Sequence, residues 1–248
     1  MSTNMNEDAR WGPWATAFWS AGIMLAFVFI QAIFFGVYVA SRTKGASTSE
    51  IEQAAMQLRN DGDVIAMATL VTTVLCVPLV FAVIRLKRDA RLDAYLPIAL
   101  PSNHVLVRWL VFTAIFLFAS DMLTLITGHP IVPDFMKVAY TSAESKPLLW
   151  VALIVAAPVF EEALFRGFMI SGFSRSWLGY SGAVLLTSTA WAAIHFQYDA
   201  YGIITVFAFG IFLGTARVKT ESLATPYLIH AIANAVATLE AALSVTAS

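Results

Sequence analysis

The chain has 248 residues, 59% of them apolar and only 12% charged, with a mean hydropathy of +0.74 and a formal net charge of -1. That balance excludes an ordinary soluble domain, and the lack of any basic or acidic tail excludes nucleic acid as a partner. A single cysteine, Cys76, excludes an intramolecular disulfide and a cysteine-rich metal cage.

Several apolar runs are long enough to cross a hydrocarbon core of about 30 Å, while the alternating pattern of a membrane barrel is missing, so an all-α polytopic membrane bundle is expected. The first run, 14–40, is too long for a signal-peptide core and follows Glu7 and Asp8 rather than a basic cluster; it reads as a retained anchor. The stretch 46–60 opens on a capping box, Ser47 with Glu50 or Ser49 with Glu52, and predicts an amphipathic surface helix. Further spans are predicted at 64–84, 105–127, 147–171, 182–198, 200–216 and 222–244. That makes about seven membrane helices, or eight helices with the surface one, in a single integral membrane domain covering 1–248.

The most basic loop holds Arg85, Lys87, Arg88 and Arg91, which places it in the cytoplasm. Alternating from there, eight Lys or Arg fall on the cytoplasmic side and five on the outer side, with the N-terminus inside. Trp11, Trp14, Trp109, Trp150 and Trp177 lie near span ends and read as interfacial anchors. Gly210 and Gly214 make a small-xxx-small face of the kind that packs helices together.

Against this apolar background the stretch PVFEEALFRG, 158–167, stands out. An ionisable group at the bilayer centre costs about 2.5–3.5 kcal/mol on insertion scales, so it needs a partner, a cavity or a function. Glu162 and Arg166 are four apart and predict an ion pair on one helix face. Glu161, turned about 100° away, has no local partner. Pro158 should free the carbonyl four residues back, that of Ile154, and kink the helix beside Glu161.

The span 182–198 contributes His195, and the last span contributes His230 and Asn234 on one face. Counting 1.5 Å per residue from the expected cytoplasmic ends puts Glu161 roughly 17 Å deep, His195 roughly 20 Å, His230 roughly 12 Å and Asn234 roughly 18 Å. Three distant helices thus bring polar groups to similar depth. Asp121, in the third span, faces a cavity or caps a helix break.

Such a set can hydrolyse an amide without a covalent intermediate. Glu161 would take a proton from a water that His195 helps to hold, and His230 with Asn234 would supply donors to the oxyanion. A serine triad lacks its G-x-S-x-G elbow, and Cys76 has no histidine near it in sequence. This scheme needs no cofactor. The alternative is zinc, for which Glu161, His195 and His230 are three ligands of suitable kinds, although HExxH is absent.

EEALFR resembles the EExxxR motif, WAAIH the aromatic-xxx-H motif and HAIAN the HxxxN motif of the CPBP intramembrane proteases, the CAAX-protease and bacteriocin-processing family. The resemblance covers 148–240, the motif-bearing core, and has Trp191 where phenylalanine is usual, a departure that looks conservative. It implies an intramembrane endopeptidase in which Glu161 and His195 activate water, His230 and Asn234 form the oxyanion hole, and Glu162 and Arg166 support the site. The family's substrate does not transfer with the motifs; the expected substrate is a peptide or a lipid-modified or membrane-associated protein, met among membrane lipids in a bacterial plasma membrane. Two other readings use the same residues: a non-catalytic peptide-binding or bacteriocin-immunity protein, and an ion transporter, which the lack of an inverted repeat disfavours.

Overall fold

A computed structural model of the chain describes residues 10–246 and is all-α, with ten helices and no strand among those residues. The helices are α1 (Pro13–Arg42), α2 (Thr48–Leu58), α3 (Gly62–Leu86), α4 (Leu92–Tyr95), α5 (Asn103–Ile126), α6 (Asp134–Ser142), α7 (Lys146–Phe173), α8 (Gly179–Ala193), α9 (Ala200–Thr220) and α10 (Ala224–Thr246).

Local chemistry sets their ends. Pro13 opens α1 in the first turn, where its missing N–H costs nothing. Asp61 caps α3 by accepting from the N–H groups of Asp63 and Val64, at 3.0 and 3.1 Å, and Asp199 caps α9 by accepting from Gly202 N–H at 2.8 Å. Of the two capping pairs expected for the surface helix, Ser47 with Glu50 forms: the Ser47 N–H donates to the Glu50 carboxylate at 2.7 Å. That carboxylate is held below its ordinary pKa by the bond.

Six helices, α1, α3, α5, α7, α9 and α10, are long and apolar enough to cross a membrane. The chain is an integral membrane protein. The expected span 182–198 is the exception, because α8 stops at Ala193 after 15 residues and His195 lies beyond its end. Nothing in the apolar composition of 191–196 announces that stop.

The polarity of the fold is inverted, as lipid requires. Phe18, Phe29, Ile33, Ile115 and Phe118 face outward, whereas Glu162, Arg166, Thr187, Ser188 and His230 are buried. Small residues let the helices approach, since lipid tails offer no hydrophobic drive to association. A Cβ at Gly214 would lie 2.8 Å from Val184 Cγ1, and one at Gly210 would lie 3.0 Å from Ser188 Cβ, so α9 lies against α8 on the small face the sequence announces. Of the expected interfacial tryptophans, Trp14 and Trp177 are exposed, but Trp109 is buried among Phe112 and Phe212 in the core.

Hydrogen bonds between loops group the ends of the bundle. Trp11 N–H donates to the Tyr95 hydroxyl at 2.5 Å, its indole N–H donates to Val83 O at 3.0 Å, and Leu223 N–H donates to Pro97 O at 2.6 Å. The N-terminal segment, the basic loop and the α9–α10 turn therefore share one end. At the other end Gly62 N–H donates to Ser142 Oγ at 2.9 Å, and Asp63 accepts from the N–H groups of Glu144 and Ser145.

Candidate active site

The site is built on α7, whose backbone departs from α-helical register twice. Residues Ala152–Ala156 and Glu162–Met169 form π-turns, with Ala157 N–H bonded back to Ala152 O. Such bulges gather at functional positions because they present side chains that a regular helix would turn away. Pro158 explains the first one and corrects the expectation about it. In an i→i+5 register the carbonyl opposite the missing proline N–H is that of Leu153, not Ile154. Asn234 of α10 fills that vacancy, donating its side-chain N–H to Leu153 O at 2.8 Å, and Thr73 of α3 donates to Ala156 O at 3.0 Å.

The two glutamates have different surroundings. Glu162 and Arg166 are each 1% exposed and form the expected pair, Arg166 Nη1 to Glu162 Oε1 at 3.1 Å. His230 Nδ1 reaches the same oxygen at 2.9 Å, so Nδ1 carries the proton and Nε2 points elsewhere. Glu162 Oε2 is buried with no hydrogen-bond partner among the described residues. The Arg166 guanidinium also stacks 4.4 Å from the centre of the Trp191 ring and approaches Gly210 O at 3.4 Å.

Glu161 is 17% exposed and its Oε2 lies 3.9 Å from His230 Nε2. The same oxygen accepts the Trp191 indole N–H at 2.5 Å. His195 folds back onto its own helix end, where its Nδ1–H donates to Trp191 O at 2.7 Å. That fixes the neutral tautomer and leaves Nε2 as an acceptor. The His195 and His230 rings lie edge-on to the Trp191 ring, with centroids at 4.8 and 5.3 Å.

Of the residues named from sequence, Glu161, Glu162, Arg166 and His230 form one network, and His195 joins it through Trp191. Asn234 sits one turn beyond His230 with one amide N–H engaged by Leu153. Among the described residues no three His, Cys, Asp or Glu side chains converge to hold a metal ion. Asp121 stands outside the network, within electrostatic reach of Glu240 of α10.

Two participants escaped sequence reasoning. Trp191 was read as a stand-in for phenylalanine, although its indole N–H was the available signal. Tyr198, half-buried in the α8–α9 loop, packs on Phe135 of α6 and near His195. Burial and the charge of Glu161 push its phenol up to about 12, so it keeps its proton at neutral pH.

A model of the type II CAAX prenyl endopeptidase Rce1-like family matches residues 143–236, which contain every one of these groups. The chain belongs to this family. An uncharacterized 24.3 kDa protein of Escherichia coli is 30% identical over 172 residues, 65% of this chain and 73% of that protein. No solved structure matches it. The family's description is that of a CAAX prenyl endopeptidase, which supports a membrane-protease reading at the level of the family.

Proposed function

We propose that the protein is a glutamate-type intramembrane endopeptidase that hydrolyses a peptide bond in a lipid-modified or membrane-associated protein or peptide. The observation that carries the reading is the partly exposed carboxylate of Glu161, held at 2.5 Å by Trp191 and set 3.9 Å from His230 Nε2, inside a membrane helix. A polar group kept there at several kcal/mol of insertion cost calls for a use.

In this scheme a water donates one proton toward Glu161 and the other toward His195 Nε2, which turns its lone pair to the scissile carbonyl. Glu161 takes the first proton as the C–O bond forms. The oxyanion would be met by His230, protonated at Nε2 as well as Nδ1, and by the second amide N–H of Asn234. The proton then passes from Glu161 to the leaving amine as the C–N bond breaks. Glu162 and Arg166 hold His230 from behind. We place the protein in a bacterial plasma membrane with its N-terminus in the cytoplasm, on the distribution of Lys and Arg.

The test is cleavage of two internally quenched peptides by protein in lipid nanodiscs, one ending in a farnesylated Cys-aliphatic-aliphatic-X sequence and one with the same sequence unmodified. Glu161→Ala should lose at least about 100-fold in kcat/KM while remaining folded, its thermal midpoint lowered only by the unmet Trp191 indole N–H. Cleavage at the parent's rate would overturn the scheme, and binding without product would make the protein a peptide holder. Chelator treatment should leave the parent active; loss restored by zinc would replace this mechanism with a metal-dependent one.

A further inference from the structure

We propose that Trp191 is the positioning residue that joins Glu161 and His195 into one working pair, its indole N–H fixing the carboxylate and its carbonyl fixing the imidazole. The inference rests on the reading of Glu161 as base. Its two contacts come from opposite sides of one residue, at 2.5 Å to Glu161 Oε2 and 2.7 Å to His195 Nδ1.

The carbonyl contact follows from where α8 ends, the indole contact from burial of the ring. Had the helix continued, the His195 N–H would have bonded to Trp191 O; instead it bonds to Ala192 O at 3.0 Å, and the Trp191 carbonyl is left for the imidazole four residues on. The indole, 2% exposed, must find an acceptor for its N–H, and Glu161 is the one it has. The ring cannot swing away. Arg166 lies over its face, and Gly210 clears its seat, since a Cβ there would stand 3.1 Å from Trp191 Cε3.

The functional consequence is a division of labour within one carboxylate. Oε2 is occupied by the indole, which leaves Oε1 to meet water, and the carboxylate plane is set relative to His195 Nε2 before substrate arrives. Phenylalanine at 191 keeps an aromatic face for Arg166 but loses the donor, so the departure from the usual motif is a change of chemistry as well as of size.

Two measurements test this on the full chain in nanodiscs. With 15N-indole labelling, one of the seven tryptophan signals disappears in Trp191→Phe and is thereby assigned. That proton should resonate downfield of the others and move upfield in Glu161→Gln; a signal indifferent to Glu161→Gln overturns the proposal, whatever the protein's activity. In the quenched-peptide assay, Trp191→Phe and a Trp191→benzothienylalanine variant, which keeps the ring shape without N–H, should each lose about tenfold in kcat with KM changed less than about twofold. Parental kcat in the benzothienyl variant, even with a slow Trp191→Phe, would reduce Trp191 to packing and overturn the proposal. Glu161→Ala run in parallel separates the levels: if it is active the proposed base is wrong, and if it is dead while both Trp191 variants run normally only the positioning role falls.

Discussion

Glu161 and Glu162 are chemically identical and adjacent, yet the bundle gives them opposite situations. One faces Arg166 and His230 in full burial; the other keeps a partly open face. Removing one partner of a buried pair leaves the other charge uncompensated, which costs more than the pair is worth. Arg166→Met should therefore destabilise the protein by about 3–5 kcal/mol, read as a lower thermal midpoint in detergent, with a larger loss than Glu162→Gln and Arg166→Met together. Equal losses in the single and double variants would show that the pair is not the cost. At this scale the sequence was generous. Spacing of four announced the Glu162–Arg166 pair and set Glu161 apart, because helical geometry converts residue number into angle. It could not announce what reaches across from other helices, such as His230 bonding to Glu162 or the Trp191 N–H bonding to Glu161.

At the scale of the helix, α7 is held open by a match between Pro158, which lacks a donor, and Asn234, which supplies one. Asn234→Ala should leave Leu153 O unmet, at about 1–3 kcal/mol for a buried polar group. In a Pro158→Ala background a backbone N–H becomes available to that carbonyl, so the penalty should shrink by about 1 kcal/mol in a double-mutant cycle of thermal stabilities. Additive losses would mean that the two positions act independently. The six spans and their approximate limits were legible from apolar runs, and α2 from its capping box, whereas the short helices α4 and α6 were not anticipated. The π-turns and the early stop of α8 were not, for the same reason. Composition reports whether a segment tolerates lipid, but a shift from i→i+4 to i→i+5 bonding, or an ending at Ala193, changes no side chain's polarity.

Across the whole molecule, the charge bias and the shared ends support the proposed sidedness, which accessibility of single cysteines tests. Cys76 is 0% exposed, so the parent chain is a silent background for an impermeant thiol reagent. On intact cells Ser49→Cys, in α2, should be labelled, whereas Ser102→Cys, at the basic end, should be labelled only after permeabilisation. The reverse pattern would invert the orientation and place the basic end outside. Both engineered positions are exposed, which keeps burial from deciding the result.

The shortness of α8 bears on the lipid beside it. Fifteen residues rise about 22 Å, roughly 8 Å less than the surrounding hydrocarbon. Phe196, 84% exposed just past that end, stands where acyl chains would have to shorten or splay to cover the deficit. A leaflet that follows this end would thin there and bring headgroups and their water closer to the polar interior of the bundle. A hydrophilic peptide arriving by that route would have less oil to cross.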